Sequence, residues 1–299
     1  MKTKKSFLGL MLAAAVTVFL MLSCSKDDNG SISGKDITLA EDEAYADALY
    51  EEVDNLVVSN ITSLDANNFS VMALKSTSDE GECVTITVDH PDSISFPKVI
   101  TLDYGSGCTR IFRDDTITWQ GQIIITLTDR WFVEGAKHIV TFNNFFINGV
   151  KIEGTRTITN MGLNEKNHLE LGIVLENGKV TFNDTAFITR TSNHVREWIR
   201  SYNPLNDTIL ITGTASGINY KGENYERLIV DPLVLVHCQD FHWRWVIVGG
   251  SIQITNSVSG VTTIDYTSTG CDGTLIIGKN GIRHNYHFYY KHHNHWKGH

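Results

Sequence analysis

Three Asn-Gly pairs, Asn148-Gly149, Asn177-Gly178 and Asn280-Gly281, sit between runs of β-branched and aromatic residues. They restrict the fold more than any other feature. A two-residue type I′ turn needs positive φ at both central positions, and Asn followed by Gly meets that need with least strain. The pairs predict three hairpins: Phe142 to Ile147 with Val150 to Ile158, Ile173 to Glu176 with Lys179 to Phe187, and Gly273 to Lys279 with Ile282 to Tyr290. Further strands read over Gln122 to Thr128, Thr208 to Gly213, Leu228 to Val236 and Trp243 to Ile254. Ile123, Ile125 and Leu127 alternate with Gln122, Thr126 and Thr128, the pattern of a half-buried strand. Pro232 breaks an otherwise strand-like run and marks an edge or a bend.

One segment departs from this pattern. Over residues 37–58, Ala44, Tyr45, Ala48, Leu49, Val53 and Leu56 recur at helical spacing behind Thr38-Leu-Ala-Glu41, a capping-box pattern. Glu43, Asp47, Glu51 and Asp54 fall on the opposite face, and the helix is expected to lay its apolar side on a sheet. Residues 59–80 are polar and weakly patterned and read as a loop. The β body is expected over 81–299. The fold class is therefore all-β: an antiparallel meander forming a large twisted sheet or a β-sandwich, with one N-terminal amphipathic helix.

With 41% hydrophobic and 20% charged residues, the 299-residue chain has the apolar content for a real core. Its formal charge of −9 leaves no basic excess for phosphates, which excludes a nucleic-acid partner.

The first residues read as an address. Lys2, Lys4 and Lys5 precede a nearly continuous apolar run from Phe7 to Leu22, too short for a typical spanning helix and shaped like a signal-peptide core. Leu20-Met-Leu-Ser-Cys24 resembles the lipobox of bacterial lipoproteins, and Ser25-Lys-Asp-Asp28 resembles the surface-export signal of Bacteroidota lipoproteins. The resemblance covers residues 1–29 alone. It implies cleavage after residue 23, lipidation of Cys24, a tether over 24–36 and an outer-membrane, cell-surface location. Four Asp-Ser/Thr-apolar triplets, among them Asp92-Ser93-Ile94 and Asp207-Thr208-Ile209, also resemble glycosylation acceptors of exported Bacteroidota proteins. Losing residues 1–23 removes three lysines and moves the charge from −9 to −12.

Four further cysteines, Cys83, Cys108, Cys238 and Cys271, are an even set in an exported chain, and either two disulfides or buried free thiols account for them. Folding Cys83 to Val88 onto Val99 to Tyr104 about the intervening turn places Cys83 opposite Cys108. Cys238–Cys271 follows by analogy, because Val99-Ile-Thr-Leu-Asp-Tyr-Gly-Ser-Gly-Cys108 is echoed by Val261-Thr-Thr-Ile-Asp-Tyr-Thr-Ser-Thr-Gly-Cys271. The echo raises duplicated β-modules around 83–130 and 238–290, against chance in a Thr/Ile-rich chain.

No catalytic or phosphate-loop motif stands out, and no catalytic residue is assigned. Asp103, Asp129 and Asp265 sit near turns, where capping explains them better than a glycosidase pair. Six of twelve histidines crowd the last sixteen residues, and His284, His287, His292, His293 and His295 are candidates for weak Zn, Cu or Ni binding; no other cofactor is expected. Trp243 and Trp245 share one strand face and offer a stacking platform for sugars or a partner if exposed, and plain core if buried. Trp119, Trp131, Tyr286 and Tyr289 carry the same alternatives. The expected role is a non-enzymatic binding or adhesion module for a glycan or surface protein. An accessory subunit of a surface complex and a hydrolase are the rivals.

Overall fold

The period-two runs become neighbouring strands of one sheet. The computed structural model describes residues 34–69, 73–75, 84–92, 94–112, 115–183, 186–238, 244–267, 271 and 274–287. Helix α1 (Gly34–Ala66) precedes β1 (Ala73–Lys75), β2 (Thr85–Val88), β3 (Lys98–Asp103), β4 (Cys108–Phe112), β5 (Asp115–Leu127), β6 (Lys137–Ile147) and β7 (Val150–Leu163). Then come β8 (Leu169–Thr181), β9 (Phe187–Ile199), β10 (Thr208–Ile218), β11 (Asn224–Cys238), β12 (Arg244–Asn256), β13 (Gly260–Tyr266), β14 (Thr274–Lys279) and β15 (Ile282–His287). Nearly every strand pairs antiparallel with its successor; the exception is β3, which lies in tandem with β4 along β5 as one interrupted strand. The sheet does not close on itself among the described residues, and β1 and β15 are its edges. Of the two architectures the alternation allowed, the chain forms the single large sheet.

Two of the three Asn-Gly pairs turn as expected. Ile147 pairs with Val150 and Lys279 with Ile282, and Asn148, Gly149, Asn280 and Gly281 all have positive φ. The third does not turn. Asn177-Gly178 lies inside β8, only Asn177 of the pair has positive φ, and the register shifts between Leu175 and Gly178. The pair is a β-bulge, and β8 runs on to Thr181 before β9 returns from Phe187. A reversal at Asn177 would have cut β8 off from both neighbours, whereas a bulge keeps its pairing with β7 and β9. Gly154, at φ 125° on β7, receives this bulge. Pro232 likewise sits at register shifts between β11 and β12, as a bend rather than an edge.

Helix α1 differs from expectation in length and in setting. It runs 33 residues, about 50 Å at 1.5 Å per residue, past residue 58 to Ala66. Ile61 and Leu64 extend its buried stripe into what read as a loop. Its backbone is helical from Gly34, so Thr38 lies inside the helix rather than at its cap. The sheet bends around it. Leu49, Tyr50, Val53, Val57, Ile61 and Leu64 share one core with strands from β2 to β8, while Ala40 and Ala44 share a second with strands from β9 to β14. The helix axis has a direction in this trough. Asp47 meets residues near the starts of β9 and β11, and Asp65 meets Arg130 in the β5–β6 connection. The β6–β7, β8–β9, β10–β11, β12–β13 and β14–β15 turns therefore lie at the end where α1 begins, and the alternate connections at the far end.

Cys238, at the far end of β11, is bonded to Cys271 in the β13–β14 connection, with Cα atoms 5.7 Å apart. Cys108, at the start of β4, is also disulfide-bonded, while Cys83 lies outside the described residues. The echoed segments occupy β3 and β13, each third from one edge of the same sheet.

A side chain at Gly154 has no room, since a Cβ there would come within 2.8 Å of Gly178 Cα. Gly154→Ala is expected to lower unfolding free energy by about 1–3 kcal/mol in urea melts, because it adds a clash to an unfavourable φ.

Candidate functional site

The acidic face of α1 points inward. Glu43 and Asp54 are 1% and 3% exposed, so this face is buried as well as the apolar one. The reason lies across the trough. Arg156 on β7, Arg190 and Arg196 on β9 and Arg227 on β11 all project from the concave face and are buried. Arg156 grips Asp54 with two 2.6 Å hydrogen bonds, Nε to Oδ1 and Nη2 to Oδ2. Arg196 Nη2 donates to Glu51 Oε2 at 2.6 Å and lies 2.9 Å from Asp54 Oδ2. Arg190 Nη2 and Arg227 Nη2 share Asp47, donating to Oδ1 at 2.6 Å and Oδ2 at 2.7 Å, and Arg190 Nη1 is 3.4 Å from Glu43 Oε2. On a second flank Trp119 of β5 donates its indole N–H to Glu52 Oε1 at 3.1 Å, and Tyr50 donates to the Glu153 carbonyl at 3.0 Å.

These groups titrate as their surroundings dictate. Burial pushes the Glu43 and Glu51 carboxyls up, only partly opposed by Arg190 and Arg227 at Glu43 and by Arg196 at Glu51. Burial pushes Asp54 the same way, but the Arg156 and Arg196 guanidiniums overcome it and hold this carboxyl below its ordinary range. Burial drives His194 well below the usual imidazole value, and Arg227 and Arg190 reinforce the shift. The neutral ring then presents Nε2 to Arg227 Nη1, 3.4 Å away.

Between α1 and β9–β12 these side chains enclose a chamber of about 50 Å³, with Ile211, Ile229, Leu233, Trp245 and Ile247 as its apolar wall. Sequence reasoning missed it because β9 was not recognised as a strand. Its signal was a period-two polar stripe, Arg190, Ser192, His194, Arg196, in a segment whose other parity is also polar.

The expected site residues are scattered. Trp245 on β12 is half-buried against the second core, stacked on His237 at 3.9 Å and edge-on to Trp198 at 6.4 Å. It packs against the core and lines the chamber, and Trp243 lies outside the described residues. Trp119 is buried and Trp131 half-buried; Tyr289 lies outside the described residues, as do Cys24, His292, His293 and His295. His284 is exposed on edge strand β15, three residues from His287 and so at opposite strand parity. Among the described residues no three His, Cys, Asp or Glu side chains converge as a metal set. Asp103 accepts from Gly105 N and Gln122 Nε2, Asp129 from Arg130 N, and Asp265 pairs with Arg283, so each is engaged locally.

Exposed apolar side chains lie at both ends of the sheet: Ile218, Leu228, Val258 and Val261 around the β10–β11 and β12–β13 turns, and a further group at the far end. Phe132 and Val133 in the β5–β6 connection are 76% and 43% exposed, and Met161 and Leu163 at the end of β7 are 48% and 67% exposed. The two segments are hydrogen-bonded side by side through Gly135 N to Asn160 O and Asn160 N to Ala136 O. Tyr202, in the β9–β10 connection, is fully exposed. No protein-family model, no curated protein and no solved structure matches the chain.

The buried polar groups lead to two predictions. Arg156→Met leaves Asp54 without its bidentate partner and is expected to cost about 3–5 kcal/mol in denaturant melts, while Arg156→Met with Asp54→Leu recovers most of that loss. His138 on β6 is buried against Trp131, its ring nitrogens unpartnered, and burial pulls it down to about 4. A depressed folded value means stability that is present above about 6.5 and lost as pH falls toward about 4. Between pH 7 and 4.5 the wild type should lose about 2–3 kcal/mol more than His138→Leu, read from paired urea melts.

Proposed function

We propose that the chain is a lipoprotein anchored through Cys24 in the outer membrane, displayed at the cell surface, with its β body serving as a non-enzymatic binding or adhesion module for a glycan or partner protein. The observation that carries this reading is a group of exposed apolar side chains on two hydrogen-bonded segments at the end of the body away from the start of α1. The tether would enter the body at the end where α1 begins, and the apolar rim of Phe132, Val133, Met161, Leu163 and Tyr202 lies at the other end. Clustered exposed apolar side chains are a common mark of an interaction surface. The buried charge cluster supports the same reading from a different side, because its carboxylates are committed to arginines that hold the helix in the sheet. Among the described residues no helix is long and apolar enough to cross a membrane. The accessory-subunit reading has its own support in the edges β1 and β15, which could take a partner's strand.

Intact-mass measurement of the mature chain should place fatty acyl groups on Cys24 as its first residue, and Cys24→Ala should release the protein from membranes. A mature chain with an unmodified Cys24 overturns the anchor. On glycan arrays and on intact cells, soluble protein beginning at Ser25 is expected to bind selectively. Phe132→Ser with Leu163→Ser, folded by circular dichroism, should weaken that binding about tenfold or more. Equal binding by both proteins would remove the rim from the account.

A further inference from the structure

The end of the sheet where α1 begins carries exposed side chains to which the far-end rim gives no role. The β8–β9, β10–β11 and β12–β13 hairpins stand there side by side. Across the ladders Lys179 pairs with Thr189, Thr189 with Ile218 and Ile218 with Asn224, and the Asn224 carbonyl accepts from Ser257 N at 3.0 Å. On this row or close to it lie Phe187, Ile218, Val258 and Val261, all exposed, Val258 by 73%. Two of the hairpins add a lysine over an aromatic ring. Lys179 Nζ is 4.4 Å from the ring centre of Phe187, and Lys221 Nζ is 5.0 Å from that of Tyr220. Glu223, in the same turn as Lys221, accepts from the side-chain amides of Asn219 and Asn256 at 2.9 and 3.1 Å and is thereby held within the turns.

We propose that these three hairpins rest on a lipid bilayer, the membrane that holds the anchor; the choice of occupant rests on the lipid-anchor reading above. Chain length selects it. Gly34, the first residue of α1, follows Cys24 by ten residues. Ten residues span at most about 35 Å fully extended and about 18 Å as a flexible coil. A small folded domain is about 30 Å across, so a gap of coil length does not admit a protein partner between this end and the membrane. The chemistry agrees with the geometry. Phe187, Ile218 and Val258 suit the boundary between headgroups and acyl chains, while Lys179 and Lys221 lay their methylene stems along neighbouring rings and offer ammonium groups to lipid phosphates. The contact would be shallow, and its consequence is orientation. A body seated on these hairpins turns the rim of Phe132 and Leu163 away from the bilayer, toward whatever it binds.

The test uses protein beginning at Ser25, which keeps every described residue and has no acyl group, so that vesicle binding is scored apart from the anchor. It should co-sediment with vesicles of phosphatidylcholine and phosphatidylglycerol. Phe187→Ser with Val258→Ser should weaken that partition about tenfold, and Lys179→Gln with Lys221→Gln by a similar factor. Ile94→Ser, a like change on the β2–β3 connection at the far end, should leave it unaltered. Hydrogen exchange on the unaltered protein depends on no variant: vesicles should slow exchange in the β10–β11 and β12–β13 turns and not in the β5–β6 connection. No sedimentation, equal partition by either double variant, or protection at the β5–β6 connection instead would overturn the proposal. Vesicle binding with an unmodified Cys24 in the mature chain would overturn the anchor alone, and an acylated Cys24 without vesicle binding would overturn this proposal alone.

Discussion

Four carboxylates on one helix face four arginines on a bent sheet, and the placement of everything else in the molecule depends on that opposition. Charges removed from water cost several kcal/mol each unless they are paired and hydrogen-bonded at close range. Here the pairing crosses from α1 to three strands that are far apart in sequence, with Asp54 reaching Arg156, Asp47 reaching Arg190 and Arg227, and Glu51 reaching Arg196. Such contacts tolerate little sliding. Glu43, Asp47, Glu51 and Asp54 recur about one turn apart, so a one-turn slide would keep acids on the arginine side but leave a charge at the end of the row unpaired and misalign the apolar stripe; ion pairs and apolar contacts fix the register together.

That combination explains why a long helix can lie inside a sheet without an apolar surface all round. Ala46, Leu49, Val53 and Val57 face the first core, Ala40 and Ala44 the second, and the acids fill the sector between them. Guanidiniums are well suited to this position because they are weakly hydrated and offer several donors in one plane. The same abundance of donors leaves some unspent, and the chamber exists because four planar groups and one helix do not tile the space completely.

Much of the fold was legible in the residues. Alternation at Ile123, Ile125 and Leu127 and the Asn-Gly turns at 148–149 and 280–281 identified strands and hairpins correctly, since both signals depend on φ, ψ and side-chain parity within a few residues. The Asn177-Gly178 bulge shows where local chemistry stops short. Asn-Gly permits positive φ but does not demand a reversal, and competition between one hairpin and two ladders is settled only by the neighbouring strands. The site was less legible. Trp245 stood out by its type and is half-buried against the second core, whereas Arg190 and Arg196 were passed over because a polar stripe on a strand looks like a solvated face until its partner is known.

The residues by themselves determined what depends on short-range sterics and burial: an antiparallel all-β body, one helix near the start, and a reversal wherever two adjacent positions accept positive φ and no longer strand competes. Only the tertiary structure decided which side of that helix meets water and which strands enclose it. A carboxylate at Asp54 is equally at home in solvent or against a guanidinium, and the choice is made by Arg156, about a hundred residues away. Helical periodicity reports that two faces differ; it carries no information on whether the polar one will find opposite charge in the interior.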